Sequence, residues 1–479
     1  MKDWLDPPKP YAIAHRGASA YAPDNTLEAF ALASDMGAEF WEIDIRRTAD
    51  GVLVVFHDEE TADGRAVGSQ SYTAFEAATE ANGGRAPRLD EVLDLAVARR
   101  AGIYADIKDL EAAVPAALAL RDAGIEKAIL GAFDPEAVRR LAEAGVDYPR
   151  AALVPLGADP FEHAAGADLI HLCWERMERP QDTLTPDFLA RAKAAGQRVV
   201  LWHEEDPDRM ADLRDKPIFG ICSDTPQLVR PFRAPEGWPV KVVAHRGAKT
   251  IAPENTCVGA EAAFAAGADI VELDVRTTAD GVLVAMHDAE LDRTTNGSGL
   301  VADWTYDRLY GLDAGRWFGR HFANTRVPTL EAMMAVATRF GRGLYVEIKD
   351  ADPERVVEVV GAAGHLETSF FWSYRPSWLL AVRNADPRAR VMVPRGMASN
   401  LDELLETYRP AIVEYKPDDD FSDFNAVRAA GAEVMIHYPG QTPAFYDRVI
   451  AARPDLVNIG DLFTFRRRVS AAGYPTDGA

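Results

Sequence analysis

AIAHRGASAYAPDNTLEAF, residues 12–30, and WEIDIRRTADGVLVVFHD, residues 41–58, decide the fold because both stretches return later in the same chain. Their second versions, VVAHRGAKTIAPENTCVGA at 242–260 and VELDVRTTADGVLVAMHD at 271–288, follow without a gap at a constant offset of 230 residues. About half of the aligned positions are identical. Such a period is a duplicated domain, since solenoid repeats span about 20–50 residues and a single α/β barrel about 250. Between the copies, RPFRAPEGWPVK at 230–241 carries prolines and a glycine that continue neither a helix nor a central strand. The reading is therefore a first barrel over 1–232, a Pro-rich linker over 233–241, a second barrel over 242–468 and a tail over 469–479.

Working outward from the repeat, copy one alternates apolar, β-branched runs with Ala-rich segments of helical period. The runs are YAIAH, FWEIDI, VLVVFH, IYADIK, AILGAF, AALVPL, LIHLCW, RVVLW and FGICSD. Alternation of this kind gives a largely parallel sheet, and its length suits closure. The expected fold class is α/β, two tandem irregular TIM (β/α)8 barrels, with an open doubly wound sheet as the alternative. Nine runs are one too many for eight strands, and the Asp50-Gly51 and Asp280-Gly281 turns join the second and third runs as a hairpin without a crossover helix. One strand is therefore irregular.

The 479 residues are 48% hydrophobic, enough for two well-buried cores. A net charge of −23 argues against a surface that neutralises nucleic-acid phosphates or docks on anionic lipid. Cys173, Cys222 and Cys257 are odd in number and lack C-x-x-C spacing, so neither a disulfide framework nor a zinc knuckle is indicated. The start, MKDWLDPP, has no apolar core of a signal peptide, and no apolar run is long enough to span a bilayer. The expectation is a cytoplasmic protein with a small-molecule substrate and no nucleic-acid partner; nothing in the sequence sets an oligomeric state.

Side chains two apart on a strand share a face, so Glu272 pairs with Asp274, Glu42 with Asp44, and Glu347 with Lys349. Carboxylates turned into an apolar surrounding repel and lose hydration unless a cation or proton compensates. Glu272, Asp274 and Glu347 suit Mg²⁺ or Ca²⁺, with Mn²⁺ also compatible, rather than zinc. His245-Arg246-Gly247 ends the first strand and His287-Asp288 the third, at the carboxyl ends where parallel barrels carry their sites. Two histidines supply an acid and a base near neutral pH, while Arg246 and Lys349 offer cations to a phosphate. This set is what phosphodiester cleavage needs.

The ordered motif HRG, PENT, E-x-D, H-D, E-x-K resembles the glycerophosphodiester phosphodiesterase family in both halves. That resemblance implies irregular TIM barrels of the phospholipase-C-like phosphodiesterase type. It also implies hydrolysis of a glycerophosphodiester to glycerol 3-phosphate and an alcohol, a step of lipid and glycerol metabolism. By it, Glu272, Asp274 and Glu347 are metal ligands and His245 and His287 the catalytic pair. The family insertion after H-D corresponds to about 291–328, a lid over the glycerol moiety.

Copy one keeps His15, Arg16, Glu42, Asp44, His57 and Lys108 but has Asp106 in the glutamate position, and its span from H-D to that strand is 11 residues shorter. Copy one retains Trp202 and Ser223-Asp224-Thr225-Pro226, where copy two has His437-Tyr438 and Ile459-Gly460-Asp461. The expectation is an active second barrel and a first that is divergent or less active. Two other readings compete: a phospholipase-type lyase releasing a cyclic phosphate, and one barrel serving as a non-catalytic phosphate-ligand module. Asn25 and Asn255 read as helix N-caps. Of the remaining histidines only His437 stands out as a candidate; His203 reads as a surface or core residue.

Overall fold

The structure, a computed structural model, describes residues 3–81, 84–174, 177, 180–234, 237–440 and 442–472. It separates into two compact units, Met1–Arg230 and Pro231–Ala479. Residues 473–479 of the expected tail lie outside the described residues, and its first positions continue the helix Leu462–Ala471. Described residues of the expected linker belong to the second unit: Trp238 is buried and donates its indole N–H to Pro454 O at 3.1 Å.

The first unit holds β1 (Tyr11–Ala14), β2 (Phe40–Arg47), β3 (Leu53–Val55), β4 (Gly102–Ile107), β5 (Ala128–Ala132), β6 (Arg150–Val154), β7 (Leu169–Cys173), β8 (Arg198–Trp202) and β9 (Gly220–Ser223). All nine fall on the apolar runs of the sequence. Eight of them pair in the order β1-β9-β8-β7-β6-β5-β4-β2, and β1 also pairs with β2, so the ring closes. That closure rules out the open doubly wound alternative. The irregular strand is β3, which runs antiparallel to β2 and stands off the ring. Its hairpin turn is Asp50-Gly51, where Gly51 takes φ +87°, a left-handed conformation that favours glycine.

The second unit repeats the plan with β10 (Lys241–Ala244), β11 (Ile270–Thr277), β12 (Leu283–Ala285), β13 (Gly343–Ile348), β14 (Phe370–Trp372), β15 (Met392–Pro394), β16 (Ile412–Tyr415), β17 (Glu433–Tyr438) and β18 (Leu456–Ile459). Here β12 is the antiparallel outrigger on β11. Between β14 and β15 the ring is completed by one parallel bridge, Phe371 to Val391, with Phe371 N–H donating to Arg390 O at 2.8 Å.

Ring strands are buried almost end to end because helices cover the outside and side chains fill the inside. The first interior is packed by Ile13, Phe40, Tyr104, Leu153, Val200 and Phe219. Trp4 closes it from below, with ring centroids 5.8 Å from Phe40 and 6.1 Å from Phe219. The second interior is packed by Val243, Ile270, Tyr345, Phe370, Met392 and Met435. A fully buried Phe or Met contributes about 1.5–3 kcal/mol from apolar transfer alone. With the ring interior filled this way, only the strand ends remain for chemistry.

Candidate active site

In the second barrel, β10 runs into His245, whose backbone N–H donates to Ile459 O at 2.9 Å. The chain then turns sharply through Arg246 (φ +61°) and Gly247 (φ +81°). This turn points the Arg246 backbone N–H at Glu272 Oε2, 2.7 Å away. The register of β11 against β13 sets Asp274 beside Glu347. Glu272 and Asp274 are 1% and 0% exposed, and the three carboxylates offer oxygens within 4.8 Å of one another.

The sequence reading made Asn25 and Asn255 N-caps; the structure gives the caps to Thr26 and Thr256. Asn255 instead takes φ +54° and donates through Nδ2 to Asp274 Oδ2 at 2.8 Å, while Asn25 does the same to Asp44 at 2.7 Å. Asparagine tolerates the left-handed region because its short amide bonds locally. Each asparagine thus orients a carboxylate from the position just before its helix.

Burial pushes the Glu272 carboxyl well above the usual range, and the neighbouring charges of Asp274 and Glu347 push it further. Glu347 is raised by burial and by Asp274. Lys349 Nζ lies 3.0 Å from Asp274 Oδ1 and also contacts Glu347. Burial pulls that ammonium down, but the two carboxylates outweigh it and raise its pKa. Arg246 spans Glu254 (3.1 Å) and Asp274 (3.6 Å). Glu272 Oε1 is buried without a hydrogen-bond partner. A cluster of hard oxygens with an orphaned acceptor fits a divalent cation such as Mg²⁺ or Ca²⁺.

His287 follows β12, and its backbone O is clamped by Arg276 Nε and Nη2 at 3.1 and 2.7 Å. Its Nδ1 faces Asp288 Oδ1 at 2.6 Å. The stretch 291–328 packs its own small core, with Leu291, Val301, Leu309, Ala314 and Val327 against Val284 and Met286. Arg293 ties it to the site, forking to Asp288 (2.6 Å) and Glu254 (2.8 Å). The Arg293 hydrogen bond is the foremost cause holding Asp288 well below the carboxylate range. A cleft of about 810 Å³ opens beyond β14–β16, lined by Trp372, Tyr374, Arg395, Glu414 and Lys416 among others.

The first barrel reproduces the cluster with Glu42, Asp44 and Asp106, which are 4%, 1% and 2% exposed. Lys108 Nζ lies 2.9 Å from Asp44 Oδ1 and 2.5 Å from Asp106 Oδ2. Arg16 Nε sits 3.2 Å from Asp44. Glu42 is pushed well above its usual range by burial and by both aspartates, and Asp106 is pushed up to about 6, chiefly by burial. Asp106 Oδ1 is the orphaned acceptor here. His57 pairs through Nδ1 with Asp58 at 2.8 Å, but Asp58 is largely exposed and, among the described residues, no arginine backs it as Arg293 backs Asp288.

The three acids assigned to each site therefore come together, with Arg16 and Lys108 or Arg246 and Lys349 against them. Three groups escaped the sequence reading. Arg46 and Arg276 clamp the second histidine from the E-x-D strand. Asp224 accepts from His15 Nδ1 at 2.6 Å, and His203 and Glu205 cluster with it. Lys249 donates to His245 Nδ1 at 2.7 Å. Asp224 was visible only as part of a late motif, and Lys249 only as the one basic residue breaking a shared stretch at Ser19. His437, the remaining histidine the sequence singles out, has its ring centroid 5.1 Å from that of His245.

Fold and site define an α/β-barrel protein of the phosphodiesterase class, carrying an acidic, histidine-flanked centre in each half. The profile of the glycerophosphoryl diester phosphodiesterase family matches residues 15–228 and 245–391, and the chain belongs to that family. The glycerophosphodiester phosphodiesterase of Bacillus subtilis is 31% identical over 224 residues, 42% of this chain and 75% of that protein. That of Caldanaerobacter subterraneus is 52% identical over 89 residues, 19% of this chain and 37% of that protein. The match to the B. subtilis protein YhdW likewise spans less than half of that relative, 44%. Among solved structures, a glycerophosphodiester phosphodiesterase from Agrobacterium tumefaciens aligns with a TM-score of 0.45 at 34% identity, over 48% of this chain and 99% of its own. Among the described residues, no helix is long and apolar enough to cross a membrane.

Proposed function

We propose that the chain is a divalent-metal-dependent phosphodiesterase that hydrolyses glycerophosphodiesters to glycerol 3-phosphate and an alcohol. The observation that carries this reading is the second-barrel cluster: three buried carboxylates flanked by His245 and His287, with Glu272 Oε1 left without a partner. Glu272, Asp274 and Glu347 would hold the ion, as would Glu42, Asp44 and Asp106 in the first barrel. The bound ion supplies charge stabilisation at the phosphoryl oxygens. Arg246 and Lys349, and Arg16 and Lys108 in the first barrel, bind those oxygens from the sides. The histidine pairs His245 with His287 and His15 with His57 move the protons of attack and departure. The lid at 291–328 shields the glycerol end, and the cleft beyond β14–β16 receives the alcohol.

The test is a panel of glycerophosphodiesters assayed with Mg²⁺, Mn²⁺ or Ca²⁺ for the wild type, His15→Ala, His245→Ala and the double variant. The expected result is partial loss in each single variant and loss of about 10²–10⁴-fold in the double variant, the usual scale for removing acid–base catalysis. Wild-type rates in the double variant would overturn the site. A stable cyclic phosphate in the phosphorus NMR spectrum would replace hydrolysis by the lyase reaction, and turnover confined to one barrel would leave the other as a phosphate-binding module.

A further inference from the structure

The two barrels back their first-strand histidine with opposite charges. In barrel one, His15 Nδ1 faces the Asp224 carboxylate at 2.6 Å, and Trp202 donates its indole N–H to His15 Nε2 at 3.2 Å. A carboxylate only accepts and an indole only donates, so the proton sits on Nδ1 and the lone pair on Nε2. In barrel two, the Lys249 ammonium stands 2.7 Å from His245 Nδ1. An ammonium only donates, so Nδ1 carries the lone pair and the proton sits on Nε2.

The change is concerted. Ser19 and Lys249 hold equivalent positions in the repeat. The registers Ala14 to Ser223 and Ala244 to Ile459 make Gly460 the counterpart of Asp224. A Cβ at Gly460 would lie 2.9 Å from Lys249 Cε and 2.1 Å from Pro439 O. The lysine stem thus occupies room that a side chain there would need. Trp202 is replaced by His437 and Glu205 by Gly440, counted from the registers Leu201 to Ile221 and Ile436 to Val457. Among the described residues, the two acids and the indole donor around His15 have no counterparts at the equivalent positions around His245.

The partner histidine has not changed in this way. His287 donates through Nδ1 to Asp288 at 2.6 Å, and its Nε2 therefore presents a lone pair. His57 has the same arrangement with Asp58. Barrel one accordingly offers two carboxylate-backed histidines, barrel two one of each kind.

We propose that Lys249 is a positioning residue that fixes the proton of His245 on Nε2, so that barrel two uses His245 as its general acid and His287 as its general base. The proposal rests on hydrolysis at barrel two. His287 Nε2 takes a proton from the attacking water as its oxygen bonds to phosphorus. The bond from phosphorus to the leaving oxygen breaks with its electron pair on oxygen, which takes the Nε2 proton of His245. Nδ1 of His245 takes a proton from Lys249, leaving a neutral amine; His287 then releases its extra proton to solvent, Nε2 of His245 takes one from solvent, and Nδ1 returns its proton to Lys249, which restores all three groups.

The first measurement is a long-range proton–nitrogen correlation spectrum of the full chain labelled with ¹⁵N-histidine in Mg²⁺, with His15→Asn and His245→Asn spectra assigning the two rings. The expected result is the Nδ1–H form for His15 and the Nε2–H form for His245, the latter kept in Lys249→Arg and lost in Lys249→Met. An Nδ1–H form of His245 in the unsubstituted chain overturns the proposal. The second uses His15→Ala as parent, so that only barrel two turns over. Lys249→Met is expected to lower kcat about 100-fold on glycerophosphocholine, whose alkoxide needs a proton, and to leave a glycerol 4-nitrophenyl phosphodiester, whose leaving group does not, nearly unchanged. Equal losses on both esters overturn the proposal. An inactive parent beside an active wild type would confine turnover to barrel one and overturn the hydrolysis at barrel two on which the proposal rests, and the spectrum would then decide the tautomer by itself.

Discussion

Asn255 grips Asp274 twice: its Nδ2 donates to the carboxylate at 2.8 Å and its Oδ1 accepts the Asp274 backbone N–H at 3.0 Å. The third residue of the PENT motif therefore fixes the rotamer of the most deeply buried acid of the cluster. Asn255→Ala removes both bonds and places alanine at φ +54°. Leaving buried groups unpaired costs about 1–3 kcal/mol. Calorimetry should show a lower unfolding temperature for the second unit, with weaker Mg²⁺ binding by titration; unchanged metal affinity would refute the orienting role.

The pH dependence of metal binding follows from the raised carboxyls. Asp106 titrates near 6 when folded, against 3.8 ordinarily. Between those values the folded chain holds a proton that the unfolded chain has lost, so this group's contribution to stability falls as pH rises through the window. A bound cation reverses the preference by favouring the charged form. The stabilisation added by Mg²⁺ should therefore grow from pH 5 to pH 7. Mg²⁺ binding near pH 5.5 should release protons, read from titration heats in buffers of different ionisation enthalpy. Proton uptake would contradict the assignment.

Among the described residues, Arg293 is the one side chain joining the segment 291–328 to both Asp288 and Glu254. Arg293→Ala should raise KM and lower kcat together, since the lid and the partner of His287 loosen at once, for a loss of about 10–100-fold in kcat/KM. Because the side chain is partly exposed, the unfolding temperature should hardly move. A large fall in stability with kinetics intact would show a purely structural role.

Gly247 has no room for a methyl group. Its φ is +81°, and an added Cβ would lie 2.8 Å from the backbone C and O of Gly259. Gly247→Ala should destabilise the second unit by at least about 1–3 kcal/mol and displace the Arg246 N–H from Glu272. Urea unfolding checks the first effect and Mg²⁺ affinity the second.

The ring strands were legible because burial on both faces writes itself as continuous apolar runs, and the E-x-D and E-x-K pairs stood out as the charges interrupting those runs. The role of β3 and β12 was half legible: the Asp-Gly turn announced a hairpin, but only the pairing of β1 with both β2 and β9 shows which strand the ring leaves out. Asn255 was misread because a residue before a helix looks like a cap whether its amide turns toward the helix or toward a carboxylate 19 residues on. The backing of His57 and His287 lies within the H-D motif itself, whereas that of His15 was not legible. Asp224 lies 209 residues from His15, and no local pattern encodes that distance.

The outrigger strands β3 and β12 have a consequence for how such a site can be altered. Each carries its histidine out of the ring and back, so histidine, lid and return strand form one excursion bounded by two fixed wall strands. Its length differs by 11 residues between the halves while the acids on either side keep their register. The mouth of each barrel is in effect an exchangeable cassette: its pocket can be recut without moving the buried carboxylates on the wall strands.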